Sequence, residues 1–164
     1  MADLSSLSAW GLPGLFVIAT LAGSVLPLPT EALISALVYG GQRTALVVAV
    51  ATVGNVLGST TLYLLGSWVA AGGGGPLGRW LARRSEQAGP QLEVAKQRLR
   101  RYGAPALIFS SIPIVGDVVI LAAGYVRLRP LPFLFFVSLG KGLRYLAVGL
   151  STAAALSAVG HAAS

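Results

Sequence analysis

Two uncharged runs constrain this chain more than any other feature. Thr44–Gly78 holds 35 residues without a formal charge, and Leu4–Thr30 holds 27 more. About 20 apolar residues cross a bilayer, and the core helices of soluble domains are usually shorter. Charged residues make up 10% of the 164, against about 25% in a typical soluble domain. Mean hydropathy is +0.77. The expected fold class is an all-α integral membrane protein.

Several chemistries drop out early. There is no cysteine and one histidine, His161, so thiol catalysis, disulfides and a metal site are not expected. No phosphate-binding glycine loop with a lysine and no nucleophile elbow is present, so no enzyme and no cofactor is expected. Asp3 stands where a signal peptide carries positive charge, so the N-terminus is expected to be retained. Ser5–Leu15, with Trp10 and Pro13, is expected at the membrane interface before the chain turns inward.

Charge is concentrated in one segment. Seven of the 12 bases fall in Arg79–Arg101, after the glycine run Gly72–Gly75 and Pro76. Pro90 can open a helix there, with Leu92, Ala95, Leu99 and Tyr102 recurring on one face. The pattern predicts a basic amphipathic helix on the membrane surface, either touching anionic lipid or setting topology. Both readings put it in the cytoplasm. The bases serve topology, so no nucleic-acid partner is expected.

Two further apolar segments are broken. Pro27-Leu28-Pro29-Thr30-Glu31 interrupts Leu12–Gly41, and Pro113-Ile114-Val115-Gly116-Asp117 interrupts Gly103–Val126. Each proline removes a helix hydrogen bond and disfavours helix in the residue before it. The flanking pieces, roughly 10–15 residues long, suit re-entrant segments better than full crossings. Pro27, Pro29 and Pro113 are therefore read as hairpin breaks, each hairpin with an acid at its tip.

The halves match in spacing. Glu31 precedes Arg43 by 12 residues and Gly54 by 23, and Asp117 precedes Arg129 and Gly140 by the same intervals. A long apolar helix follows each break, near Thr44–Ala70 and Leu131–Leu156. Re-entrant hairpins put nine loop bases on one side and one on the other, whereas fully spanning hairpins give seven against three. The positive-inside rule favours the first count. The expected architecture is one membrane domain with two inverted repeats, 12–70 and 103–157. Each is a re-entrant helical hairpin plus a transmembrane helix, and the basic linker 71–102 joins them.

Polar residues inside the apolar segments are the candidate site. Lys141 and Arg144 lie midway along the second long helix, with Ser138 and Tyr145 nearby. The first carries Thr52, Asn55, Ser59 and Tyr63 beside Gly54 and Gly58. A charge at bilayer depth costs about 2.5–3.5 kcal/mol. Glu31, Asp117, Lys141 and Arg144 therefore need partners, water or a change of protonation. Asp117 is expected to pair with Lys141 or Arg144. Glu31 has no basic counterpart in its own repeat, since Asn55 stands at the position matching Lys141, and is expected to bind a proton. A purely structural reading makes both acids helix caps, Gly54 and Gly58 a packing seam, and the Thr52/Asn55/Ser59 stripe interhelical bonding rather than cavity lining.

Pro27-Leu28-Pro29-Thr30-Glu31, then Gly54-Asn55 with Gly58, Tyr63 and Gly66, resembles the first half of the DedA (VTT-domain, SNARE-associated) membrane proteins. Arg101-Tyr102-Gly103, Ile112–Asp117, Ala123-Gly124 and Leu139–Tyr145 resemble its short YqaA-like branch. The resemblance covers residues 12–150. It implies a multi-pass protein of the bacterial inner membrane, linked to proton-dependent lipid translocation, with Glu31 as the functional acid. Typical members carry two arginines around the second proline motif, where this chain has Ser111 and Gly116, and an Asp where it has Ser59. Lys141 and Arg144 are expected to replace those bases.

The expected function is transport: flipping of a phospholipid, polyprenyl phosphate or similar amphipathic anion. Glu31 and Asp117 would couple protons, and Lys141, Arg144, Asn55 and Ser59 would bind substrate. Membrane lipids and protons are the expected partners, with homo-oligomerisation left open. A non-transporting scaffold or assembly factor, or a proton or ion pathway, is the alternative.

Overall fold

The computed structural model describes residues 4–24, 28–73, 75, 83, 89–111 and 115–162. The expected breaks at Pro27 and Pro113, and most of the segment 76–88, lie outside the described residues. All regular structure in the described residues is helical: α1 Leu4–Ser24, α2 Thr30–Tyr39, α3 Thr44–Ala70, α4 Gly89–Tyr102, a 3-10 helix Ala104–Ser111, α5 Val115–Tyr125 and α6 Pro130–Ala162.

Among the described residues, only α3 and α6 are long and apolar enough to cross a membrane. At 1.5 Å per residue, the 27 residues of α3 span about 40 Å, more than the roughly 30 Å hydrocarbon layer. Both turn large apolar side chains outward: Val53, Leu57 and Leu64 on α3, and Leu131, Phe135 and Leu143 on α6, are 48–80% exposed. Such stripes suit lipid rather than water.

Three expectations change. Ser5–Leu15 is not a separate interfacial piece, because α1 runs for 21 residues straight through Pro13. A single proline removes one hydrogen bond, and close packing on α3 supports the helix around it. The arm before the second break is a 3-10 helix of eight residues, tighter than the α-helical arm expected. The apolar face of α4 does not lie on a membrane. Leu92, Ala95 and Leu99 are at most 5% exposed and join a core with Leu107, Ile120 and Phe133 from the 3-10 helix, α5 and α6, whereas Tyr102 points outward at 59% exposure.

Close backbone approaches set the helix crossings. A Cβ added at Gly54 would meet the Phe16 carbonyl at 2.7 Å, one at Gly58 the Thr20 carbonyl at 2.0 Å, and one at Gly23 the Asn55 carbonyl at 2.2 Å. Only glycine lets α1 and α3 touch this closely, the small-residue packing read from the sequence. Gly124 and Gly66 do the same where α5 crosses α3, with clashes at 2.0 Å from the Tyr63 carbonyl and 2.4 Å from the Leu121 carbonyl.

The turns after α2 and α5 share one hydrogen-bond pattern. Gly40, Gly41 and Gln42 N–H groups donate to the carbonyls of Ala36, Val38 and Leu37. Val126, Arg127 and Leu128 donate to those of Ala122, Gly124 and Ala123. Each bond recurs at an offset of 86 residues, the offset between Glu31 and Asp117. Gly41 and Arg127, equivalent in the two turns, both have positive φ, 85° and 53°. Packing is reciprocal as well. The arms α1 and the 3-10 helix pack on the long helix of their own half, while α2 lies mainly on α6 and α5 on α3.

Candidate functional site

Two apolar clusters flank a polar seam. Val47, Val48 and Ala51 of α3 join Leu15, Ile34 and Tyr145 in one cluster. Leu62 and Tyr63 of α3 join Phe133 and Val137 of α6 in the other. Asn55, Ser59 and Lys141 occupy the stretch of both long helices between them, and are 5%, 0% and 7% exposed.

Lys141 has its ammonium inside this seam. Its Nζ donates to Ser59 Oγ at 2.6 Å and to Asn55 Oδ1. Ser59 Oγ in turn donates to the Asn55 carbonyl at 2.8 Å. Asn55 Nδ2 donates to the Tyr145 hydroxyl at 2.6 Å, and Thr30 at the start of α2 lies near Tyr145. The charge of Asp117, in the first turn of α5, acts favourably on Lys141. A buried ammonium is tolerated only with such partners.

Glu31 has a basic partner, contrary to expectation. It sits in the first turn of α2, and Arg144 Nη2 donates to its Oε1, an ion pair between residues 113 positions apart. The two side chains remain 34% and 32% exposed, so the pair is reachable from outside while Lys141 is not. Its own half of the chain has Asn55 where the other half has Lys141, and the other half supplies the base. The charge of Asp117 reaches Lys141, and Arg144 pairs with the other acid, Glu31.

The structure thus brings together Glu31, Arg144, Lys141, Asn55 and Ser59, with Asp117 adjoining. In this conformation Asn55 and Ser59 are buried and hold Lys141. Thr30 and Tyr145, which join the pair to the lysine cluster, were not among the sequence-selected site residues. The signal for Tyr145 was available: it is next to Arg144, and an 86-residue offset matches it to Ser59. The second break lacks an arginine at Gly116 for a steric reason. A Cβ there would fall 2.0 Å from the Ser110 carbonyl. Among the described residues no group of three or more His, Cys, Asp or Glu comes together as a metal site.

The VTT domain family model matches residues 12–154. The chain is 37% identical over 145 residues to "Inner membrane protein YqaA" of Escherichia coli K12, covering 88% of this chain and 92% of that one, with the same figures for the Shigella flexneri protein of that name. An uncharacterized protein of Haemophilus influenzae is 34% identical over 143 residues, covering 82% of each chain. No solved structure matches.

Proposed function

The chain belongs to the VTT-domain, or DedA, family of membrane proteins, and from that premise we propose that it moves a lipid or other amphipathic anion across the bacterial inner membrane, coupled to protons. The observation that carries this reading is the Glu31–Arg144 ion pair, two-thirds buried and bridging the two halves of the chain. Arg144 has two possible partners in the cycle: the Glu31 carboxylate, or an anionic headgroup. When Glu31 takes a proton it loses its hold on the guanidinium, which can then grip a phosphate bidentately. When the proton leaves, the carboxylate recaptures Arg144 and the anion is expelled. Lys141 adds fixed positive potential from within the seam, held by Asn55 and Ser59, and Asp117 balances it.

The mechanism needs a site exposed to each side in turn, which inverted repeats supply. The shared turn geometry at an 86-residue offset and the reciprocal packing support that architecture. In it, each broken segment re-enters the membrane, Arg43 lies outside, and Arg127 and Arg129 lie with the basic linker in the cytoplasm. Single cysteines at positions 43 and 127 are convenient in a chain that has none. They should react with a membrane-impermeant maleimide from opposite sides; labelling from the same side would overturn the re-entrant arrangement.

Reconstituted vesicles test the function itself. The expected result is movement of a fluorescent anionic lipid between leaflets that accelerates with an imposed proton gradient, without a free proton leak. A leak without lipid movement would make the chain a proton pathway. Neither would leave a scaffold role.

A further inference from the structure

A groove between α4 and α5 lies apart from the ion-pair site and has no assigned role. Its volume is about 280 Å³, and Pro90, Val94 and Ala95 of α4 with Val118 and Val119 of α5 supply its apolar lining. Gln91 and Arg98 are the polar side chains that line it. Val94 is 48% exposed, although its neighbours Leu92, Ala95 and Leu99 are buried. The volume falls just short of the roughly 300–1,000 Å³ of drug-sized ligand sites, so it suits a segment of one hydrocarbon chain.

Arg98 is the charged side chain in its lining. Lys96 is engaged, 2.8 Å from Glu93 and 3.9 Å above the Tyr125 ring, and Glu31 is taken by Arg144. Neither carboxylate neutralises Arg98. Arg98, Arg100 and Arg101 are exposed on α4. The Lys96–Tyr125 contact brings α4 against the end of α5 from which Arg127 and Arg129 follow. An acidic soluble partner would leave the valine trough empty, and a neutral hydrocarbon would make no use of the bases. A ligand with both an acyl chain and a negative headgroup uses both.

We propose that this groove holds one acyl chain of an anionic phospholipid, with Arg98 on its phosphate. The lipid caps the part of α4 that the protein leaves bare, and tethers the basic linker to the cytoplasmic leaflet. The site depends on the membrane location of the chain and not on transport.

Native mass spectrometry of the purified full chain tests it, with dioleoyl phosphatidylglycerol and phosphatidylethanolamine as probes. One retained phosphatidylglycerol is expected, preferred by about five-fold, the contribution of one base at an anionic surface. Arg98→Gln should reduce its retention to the phosphatidylethanolamine level, and Val94→Trp, which fills the groove, should abolish the retained lipid. Arg43→Gln should change nothing. Equal retention of the two lipids, an unaffected Arg98→Gln, or the same loss in Arg43→Gln would each overturn the site. So would loss of the bound lipid in Arg144→Gln, which would put that lipid at the ion pair. Should Val94→Trp fail to fold, Arg98→Gln alone decides.

Discussion

Lys141→Met is expected to destabilise the fold by about 3–5 kcal/mol, the usual loss when one member of a buried charged cluster is removed. Its ammonium satisfies Asn55 Oδ1 and Ser59 Oγ and balances the charge of Asp117. Methionine fills similar space but donates nothing. Asn55 Oδ1 then loses its donor and Asp117 loses one favourable charge nearby. Ser59 suffers less, because its hydroxyl keeps the Asn55 carbonyl as acceptor at 2.8 Å. Asp117→Asn in the Lys141→Met background should restore part of the loss, since it removes a charge that Lys141 no longer offsets. Thermal unfolding in detergent, or titration with a denaturing detergent, measures both steps. Strictly additive losses would show that Asp117 and Lys141 are not coupled.

Much of the fold can be read in the sequence because its signals are local. The bounds of α3, Thr44–Ala70, follow from Arg43 on one side and the glycine run on the other. The buried face of α4 follows from the spacing of Leu92, Ala95 and Leu99. Periodicity identifies an apolar face without saying what covers it, so protein was mistaken there for lipid. Pro13 misled for a related reason. A proline lowers helix propensity, yet the contact of α1 with Gly54 and Gly58 outweighs one missing hydrogen bond.

The site was legible as a set of residues and less so as a set of pairs. Ionisable groups in apolar runs mark themselves by their cost, and Glu31, Asp117, Lys141 and Arg144 were all found that way. Which acid meets which base depends on how the two halves dock, and residues 31 and 144 are 113 positions apart. The Ser35–Thr152 contact at 3.0 Å, 117 positions apart, was hidden for the same reason. Repeat matching compares a residue with its equivalent in the other half, and so it missed a partner drawn from across the interface.

That cross-half partner shapes the largest functional effect expected of this chain. Glu31→Gln keeps a side chain of the same shape and leaves Arg144 charged, as protonation would. With no carboxylate to recapture the guanidinium, an anionic headgroup should still bind but should not be released by loss of a proton. Lipid movement in vesicles should fall by at least about ten-fold, equivalent to about 1.4 kcal/mol in barrier, and its response to a proton gradient should disappear. Binding of the anionic lipid should persist. Arg144→Gln should instead lose movement and binding at the ion pair together, because the group that holds the headgroup there is gone, while the lipid in the groove between α4 and α5 stays. Glu31→Asp keeps the charge but shortens the reach by one methylene, and should retain partial, still proton-dependent activity. The pair is about one-third exposed, so breaking it should cost less stability than breaking the Lys141 cluster, and Glu31→Gln should insert and fold. Wild-type transport with unchanged pH dependence in Glu31→Gln would remove Glu31 from the coupling role. Failure of Glu31→Gln to fold, with Glu31→Asp folded and fully active, would make the carboxylate a cap on the first turn of α2 and Arg144 its structural partner.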